Sequence, residues 1–328
     1  ELVEYDVAYE NSLHFSPHFQ QFITDLSADL IERYDLHGKN IIDIGCGKGD
    51  FLKLICQMGS NTGFGFDKSY EPTPEDQQLE HVHFIQDFFT EAYSDYQADM
   101  IVCRHVLEHI QYPAEFLRGI RDIVGDRLDT VIFFEVPNGL DTLRDMGIWV
   151  IIYEHCSYFT PHSLINLFVQ NGFDVHRVQE VYGGQFLTLE ATPSISATGS
   201  SVEAEQSLEN LATLVQAFSD KYTQKSHFWR TNIDQFRVNK EKVVIWGTGS
   251  KGVTFLNVMH SEDVIDYAVD INPRKQGRYV AGSGQKIVAP EFLSEYQPDV
   301  VIVMNPLYMD EICSTLDQLG VTARYYSM

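Results

Sequence analysis

The stretch IIDIGCGKGDF, Ile41–Phe51, decides the fold of the N-terminal half of this chain. Its first four residues are apolar except for Asp43 and predict a buried strand, and the residues after the loop predict the start of a helix. The loop carries glycine at every second position, at Gly45, Gly47 and Gly49. Glycine suits such a loop because it adopts positive φ angles and lets backbone N–H groups approach a ligand at a helix N-terminus. We therefore expect a strand, a ligand-binding loop and a helix in succession.

An acidic residue follows at the spacing of a nucleoside site. Asp67 ends the next predicted strand about 20 residues later, where its carboxylate can hydrogen-bond a ribose diol. Short apolar runs and helical stretches then alternate, which predicts a doubly wound, Rossmann-like α/β domain. The strand candidates are NIIDIG, GFGFD, HVHFIQD, DMIVCRH, DTVIFFEVP and FLTLEATP. The helix candidates are residues 17–34, 50–58, 113–124 and 161–171.

A second α/β unit is predicted in the C-terminal half. The composition turns to Ser, Ala, Thr and Gly around SISATGSSVEAEQ, as in a linker. A long amphipathic helix follows, with apolar residues from Leu208 towards Phe236, and a new strand-helix alternation begins. Its strand candidates are KVVIWG, DVIDYAVD, DVVIVMN and TARYYSM. The predicted ranges are 1–195 for the first domain, 196–240 for a linker and helical connector, and 241–328 for a second, smaller Rossmann-like domain.

The composition limits the class of partner. Lys and Arg number 23 against 47 Asp and Glu, and the resulting formal charge of -24 disfavours nucleic acid and anionic membranes as partners. The five cysteines show no CxxC or Cys/His ligand spacing, so neither a disulfide frame nor a metal site is predicted. No stretch has the pattern of a membrane span or a signal peptide. We expect a cytoplasmic protein, and the sequence predicts no oligomeric state.

The glycine loop resembles the signature of class I S-adenosylmethionine-dependent methyltransferases, in which an acidic residue stands two positions before GxGxG. The resemblance implies that Asp43 and the glycine loop contact the methionine end of the cofactor and that Asp67 binds its ribose. It also implies that Asp87, with Phe88 in the stretch FIQDFF, reaches the adenine. The segment CRHVLEHIQYPAEFL looks like the one that follows the fourth strand in that family, and it places His105 and His109 beside the cofactor side of the sheet. His105 is the candidate to line the cofactor pocket, with a solvated or core histidine as the alternative.

A second glycine loop lies in the C-terminal half. VVIWGTGSKG contains GxGxxG after a predicted strand, which by itself indicates NAD. Cations nevertheless cluster around it, and N–H donors beside Lys and Arg suit a diphosphate. We favour a diphosphate-bearing substrate, with a purely structural loop as the alternative. The residues predicted to bind it are Gly247, Gly249, Lys251, Arg274 and Lys275.

The adjacent Glu154 and His155 are the candidate acid–base pair. Imidazole titrates near neutrality, so His155 could take a proton from a carbon acid. A glutamate–histidine pair is also common as a hydrogen-bonded bracket within a fold, so the residues alone leave both interpretations open.

The order of motifs resembles the sugar C-methyltransferases. The motifs are the methyltransferase signature, the stretch EHCSYF, YGGQFL, a helical connector, WGTGSKG and NPRKQG. Members of that family methylate carbon 3 of nucleotide-linked 4-keto-6-deoxysugars, and they normally begin with a cysteine-rich zinc domain, whose cysteines do not occur here. The resemblance implies that His155 is the base, assisted by Glu154. The family often has a tyrosine three residues before the histidine, whereas this chain has Ile152 there and Tyr153 one position later.

The sequence thus predicts an S-adenosylmethionine-dependent methyltransferase that acts on a nucleotide-linked keto-deoxysugar or a similar phosphorylated metabolite through an enolate. Tyr153, Tyr182 and Gln185 are predicted to contact that substrate. No metal is expected in the reaction. The alternatives are an O- or N-methyltransferase of another small metabolite and a non-catalytic or NAD-binding protein of the same architecture.

Overall fold

The structure is a computed structural model that describes residues 13–195 and 208–328. Its helices are α1 (Pro17–Tyr34), α2 (Asp50–Gly59), α3 (Pro113–Val124), α4 (Gly139–Leu143), α5 (Pro161–Gln170), α6 (Leu208–Asn239), α7 (Ser250–Met259), α8 (Leu293–Tyr296) and α9 (Met309–Gln318). Its strands are β1 (Asn40–Ile44), β2 (Thr62–Phe66), β3 (Val82–Ile85), β4 (Met100–Arg104), β5 (Val131–Pro137), β6 (Phe173–Val181), β7 (Phe186–Pro193), β8 (Val243–Trp246), β9 (Ile265–Val269), β10 (Lys286–Val288), β11 (Val300–Val303) and β12 (Arg324–Ser327).

The chain divides into two compact units. The first contains Phe22–Asp141 and the described part of Tyr153–Leu211. The second contains Ala212–Met328 and Thr142–Ile152, together with the described residues before Phe22. The domain ranges 1–195, 196–240 and 241–328 stay a prediction, and the linker residues 196–207 lie outside the described residues.

The first unit is built on a seven-stranded sheet of order β3-β2-β1-β4-β5-β7-β6. Strands β1 to β5 are parallel, and β7 pairs antiparallel with both β5 and β6. The strand order reverses between β1 and β4, and ligands of open α/β sheets bind at such a switch point, outside the carboxyl ends of the strands. The glycine loop follows β1, and the segment with His105 and His109 follows β4, so the topology brings both to that point.

The second unit has a five-stranded parallel sheet of order β10-β9-β8-β11-β12. Its core receives one face of α6, on which Trp229, Ile233 and Phe236 recur at helical spacing and are each at most 2% exposed. Trp229 packs edge-on against Phe255 of α7, with ring centroids 5.2 Å apart. Trp149, from the segment that enters this unit from mid-chain, contacts the same phenylalanine at 5.1 Å.

The predicted α/β class with two Rossmann-like sheets is confirmed by this architecture. Strands β6 and β10 were not among the predicted strands. The first, FDVHRVQEV, mixes charged and apolar residues because it is an antiparallel edge strand with only one partner. The second is only three residues long.

Candidate active site

The glycine loop after β1 adopts the predicted left-handed conformations. Gly45, Gly47 and Gly49 have φ angles of 70°, 55° and 77°. The N–H of Gly45 donates to the Phe66 carbonyl at 2.7 Å, and the N–H of Gly47 donates to Asp67 Oδ2 at 2.8 Å. A Cβ at Gly47 would meet no atom within 4 Å, so open space adjoins the middle of the loop.

The predicted ribose and adenine residues follow β2 and β3. The other oxygen of Asp67 accepts hydrogen bonds from the N–H and the hydroxyl of Ser69, at 2.8 and 2.7 Å. Asp87 accepts one from the Tyr93 hydroxyl, which is the main reason that its pKa lies below the usual range. Phe88, beside Asp87, is 65% exposed, and the Lys68 ammonium lies 5.8 Å from the centroid of its ring.

Asp43, which precedes the loop, is a buried carboxyl group. It is only 3% exposed, and this burial raises its pKa to about 7. The positive charge of Arg104 acts in the opposite direction, and the negative charge of Asp67 raises the pKa further. A cationic ligand nearby would favour the ionised form of Asp43.

Asp43→Asn is expected to change how stability depends on pH. Because the folded-state pKa of about 7 exceeds the ordinary value of 3.8, Asp43 favours the folded state most below pH 3.8, and that contribution is lost as the pH rises through 7. The measurement is urea denaturation without cofactor. As the pH rises through this range, the free energy of unfolding of the wild type minus that of the variant should fall by on the order of a few kcal/mol. Asp174→Asn on β6 controls for general loss of a carboxylate, and a wild-type-minus-variant difference independent of pH would contradict the prediction.

A buried ionic network lies at the ends of β4 and β5. Oε1 of Glu135 lies 2.8 Å from both Arg104 and Nε2 of His105, and the His105 contact lacks hydrogen-bond geometry. Burial alone would raise the pKa of Glu135, but Arg104 and His105 outweigh it and lower the pKa to about 2. Burial alone would lower the pKa of His105, but Glu108 and Glu135 outweigh it and raise the pKa to about 9. His105 is therefore held as a cation at neutral pH.

The segment that carries Glu154 and His155 is attached to the residues after β4. The carbonyl of Glu108 accepts hydrogen bonds from the N–H groups of Cys156 and Ser157, at 2.7 and 3.1 Å. At the far end of the segment, the Phe159 carbonyl accepts one from the Gly139 N–H at 2.7 Å. Thr160 then begins α5 with a capping box. The segment is an irregular loop held at both ends.

Glu108, His109 and His155 form what we call the Glu–His cluster. One potential ligand atom from each lies within 4.8 Å of the other two. The rings of His109 and His155 contact edge-on, with centroids 4.9 Å apart. Burial lowers the pKa of His155, and Glu108 only partly offsets this effect. His155 is therefore neutral at neutral pH and able to accept a proton.

The residues predicted to contact substrate are spread over the first unit. Tyr153 is 75% exposed, whereas Tyr182 is buried and stacks on Phe186 with ring centroids 5.0 Å apart. The Phe186 ring also meets His105 edge-on at 4.6 Å. The carbonyl of Gln185 accepts a hydrogen bond from the Asn138 N–H at the end of β5. The structure thus places Tyr182 near the buried ionic network and Tyr153 on the surface.

The second glycine loop is tied to the acidic residue at the end of β9. Asp270 accepts hydrogen bonds from the N–H and the hydroxyl of Thr248 and from the Asn272 N–H. The Lys275 ammonium lies 3.7 Å from the same carboxylate and 3.3 Å from the Thr248 carbonyl. A Cβ at Gly252 would stand 2.0 Å from the Gly247 carbonyl oxygen, so the third glycine allows α7 to pack on the loop.

The remaining residues predicted at this loop lie near the N-terminus of α7. Gly249 is the residue that precedes the helix, and Lys251 is in its first turn. The Arg274 guanidinium lies 5.7 Å from the centroid of the Phe15 ring. The side chain of Lys275, by contrast, is turned towards Asp270 and is 11% exposed, so it braces the loop.

Sequence reasoning missed the buried acids of the site. Glu135 interrupts the apolar run VIFFEVP, and a charge inside a buried strand was a usable signal. Glu108 lies in the short LEH turn after β4, where its side chain could not be recognised as buried from the sequence. Arg104, the last residue of β4, was likewise not predicted to pair with Glu135.

None of the helices in the described ranges 13–195 and 208–328 is long and apolar enough to cross a bilayer.

Comparisons with known proteins agree with this architecture. A family described as a methyltransferase domain matches residues 18–178, and one described as a C-methyltransferase C-terminal domain matches residues 186–323. The C-methyltransferase NovU of Streptomyces niveus is 25% identical over 307 residues, which cover 88% of this chain and 71% of NovU.

Two further relatives match only part of the chain. The ubiquinone biosynthesis O-methyltransferase of Escherichia coli O127:H6 is 30% identical over 110 residues, or 31% of this chain and 45% of that protein. The crystal structure of magnesium protoporphyrin IX methyltransferase from Synechocystis with bound SAH has a TM-score of 0.42 and 19% identity, covering 57% of this chain and 91% of that one.

The two family matches lie in tandem and together cover most of the chain, and the alignment with NovU extends over 88% of it. The chain is an enzyme that belongs to the S-adenosylmethionine-dependent C-methyltransferases, in which a methyltransferase domain is followed by a C-methyltransferase C-terminal domain.

Proposed function

We propose that this enzyme methylates a carbon atom next to a ketone in a nucleotide-linked keto-deoxysugar. One observation carries the proposal: the segment after β4 contacts both the glycine loop and the irregular loop that carries His155. A Cβ at Gly45 of the cofactor loop would stand 2.3 Å from the Val106 side chain, so loop and segment are in contact. Two residues later, Glu108 holds the backbone beside His155 through its carbonyl. The proposed base therefore belongs to the same unit as the proposed cofactor loop and is connected to it through this segment.

The cofactor site proposed here uses the residues at the ends of β1, β2 and β3. The open space at Gly47 accommodates the methionine part, and Asp67 is placed to accept the ribose hydroxyls once they replace part of its present hydrogen bonding. The exposed Phe88 ring and the Asp87 carboxylate offer a flat apolar face and an acceptor for adenine. His105, held as a cation, contributes charge at the rim of this site.

His155 performs the proton transfer in the proposed mechanism. Its neutral imidazole takes the proton from the carbon next to the ketone and becomes an imidazolium, while the electron pair passes into the substrate as an enolate. The Glu108 and Glu154 carboxylates favour the imidazolium electrostatically. When bound, S-adenosylmethionine supplies an electrophilic methyl group to the enolate carbon. The walls of the site align the reactants and keep water away.

The second glycine loop is proposed to bind the diphosphate of the substrate. Gly247 and Gly249 form the turn before α7; the Gly247 N–H is already bound to the Val269 carbonyl, so the donors offered to the phosphates are those of the first turn of α7. Lys251 and Arg274 supply positive charge that the chain as a whole lacks. Lys275 contributes indirectly by bracing the loop. Asp270, unlike Asp67, is buried and lies 3.7 Å from the Lys275 ammonium, so a ribose contact of the kind NAD requires is less favoured at this loop.

Product analysis tests this function. The enzyme is incubated with S-adenosylmethionine carrying a ¹³C methyl group and a nucleoside-diphosphate-linked 4-keto-6-deoxyhexose, and the labelled atom is located by NMR. We expect a new carbon–carbon bond next to the ketone. The same sugar reduced to the 4-hydroxyl compound is the control and should accept no methyl group, because it cannot form an enolate. A methyl group on oxygen in either sugar would contradict the proposal and favour an O-methyltransferase.

A further inference from the structure

We propose that the Glu–His cluster is a binding site for a divalent transition-metal ion of the Zn²⁺ type. Potential ligand atoms of Glu108, His109 and His155 lie within 4.8 Å of one another, all in the first unit. Two imidazoles and a carboxylate are the ligand set of many zinc sites that keep a fourth position for water or substrate. The site goes beyond the proposed methyl transfer, in which no metal takes part.

Glu108 provides an oxygen that lacks a partner. The residue is 2% exposed, and its Oε1 lies 3.7 Å from His105 and 3.9 Å from Nε2 of His109. Its Oε2 is buried and has no hydrogen-bond partner among the residues that the structure describes. A buried carboxylate oxygen without a partner is unfavourable because its lost hydration is not replaced. A cation bound within the cluster would compensate for the lost hydration of this oxygen.

His109 is oriented as metal-ligating histidines usually are. Its Nδ1 lies 2.9 Å from the backbone carbonyl of Glu154, and a carbonyl can only accept, so Nδ1 carries the hydrogen. The lone pair of the neutral ring is then on Nε2, on the side of Glu108. Histidines that bind a metal commonly donate their other ring N–H to a backbone carbonyl, which fixes the tautomer.

His155 completes the cluster from the irregular loop. Its Nδ1 is buried and has no hydrogen-bond partner within residues 13–195 and 208–328. Zinc bonds of about 2.0–2.2 Å in a tetrahedron require ligand atoms roughly 3.4 Å apart. The cluster atoms, now up to 4.8 Å apart, would close by up to about 1.4 Å, within reach of side-chain rotations.

Metal binding and proton abstraction compete for the same imidazole. A bound cation would occupy a nitrogen of His155 and place a positive charge beside it, which disfavours formation of the imidazolium. No bond other than the coordinate bonds forms, and no electron is transferred. The ion is therefore expected to inhibit the proton transfer and to be removable by a chelator.

Cobalt(II) is the probe, since its visible absorption is intense in tetrahedral sites and weak in octahedral ones. The full-length protein is first treated with EDTA, dialysed, and titrated with CoCl₂, followed by displacement with ZnCl₂. We expect the wild type to develop intense visible absorption that saturates at one equivalent of Co²⁺. Glu108→Gln and His155→Ala should each weaken binding by at least about tenfold. Circular dichroism of both variants in EDTA verifies that they are folded.

Two control variants separate the cluster from other donors. His81→Ala removes an exposed imidazole elsewhere on the first unit, and Cys156→Ser removes the exposed thiol next to His155. Both should keep the intense cobalt signal. A signal that survives in Glu108→Gln and His155→Ala, or that disappears with Cys156→Ser alone, would overturn the proposed ligand set, as would a wild type that shows only the weak octahedral absorption.

The Glu–His cluster shares His155 and Glu108 with the proposed function. The cobalt titration contains neither cofactor nor sugar, so its result is independent of methyl transfer. Product formation in excess EDTA tests the proposed function alone. Failure of one experiment therefore leaves the other result standing.

Discussion

Replacing His155 with alanine is expected to abolish exchange of the substrate proton next to the ketone. Without the imidazole, the carbon acid has only water as its base, and the loss of a positioned general base costs on the order of 10²–10⁴-fold in rate. The measurement is the rate at which deuterium from D₂O enters a nucleoside-diphosphate-linked 4-keto-6-deoxyhexose in the presence of S-adenosylhomocysteine, followed by NMR.

Binding of S-adenosylhomocysteine should be unchanged in this variant, because the proposed cofactor residues follow other strands. His162→Ala is the matched control, since it removes an imidazole from the first turn of α5, close in sequence, and should keep full exchange. Added imidazole should partly restore exchange to His155→Ala. Exchange that persists in His155→Ala but is lost in His109→Ala would identify His109 as the base instead.

Glu135→Gln is expected to lower the free energy of unfolding by about 3–5 kcal/mol, the typical loss when one partner of a buried ion pair is removed. The substitution preserves the size of the side chain, so the loss reflects charge and not a cavity. Arg104 and the cationic His105 would lose the buried carboxylate that neutralises them.

Urea denaturation near pH 6 measures this effect, because there Glu135, with a pKa of about 2, is ionised and His105, with a pKa of about 9, is protonated. The double variant Arg104→Met with Glu135→Met should recover much of the loss, since apolar pairs of similar volume often replace buried ion pairs without penalty. A single variant as stable as the wild type would show that the network contributes little.

The regular part of the fold could be predicted from local patterns. The run from Ile41 to Phe51 contains a strand, a glycine loop and a helix start that can be recognised from residue types alone, without knowledge of their partners in the sheet. Helix α3 was predicted with the bounds Pro113–Val124 that the structure shows, because its apolar face and its starting proline are both local signals. Strand β6 was missed because its pairing with β7, and not its composition, makes it a strand.

Residues of the site could be predicted together only where they are adjacent in the sequence. His155 was singled out by the adjacent Glu154, yet the cluster to which it belongs contains Glu108 and His109, which are more than forty residues away along the chain. Lys275 was predicted to hold phosphate, but a sequence gives no direction for a long side chain, and its ammonium is turned towards Asp270. Such pairings depend on tertiary structure, which composition and spacing do not contain.

The short mid-chain segment that contributes Trp149 to the second core limits where two related enzymes can be joined into a hybrid. Thr142–Ile152 belongs to the second unit although the first unit resumes at Tyr153, so the two units are interleaved along the gene and are not two consecutive blocks. A recombinant exchange at the linker alone would separate Ile148 and Trp149 from Phe255 and leave an apolar surface uncovered. A hybrid that keeps the second core intact therefore requires that this eleven-residue segment be exchanged together with Ala212–Met328.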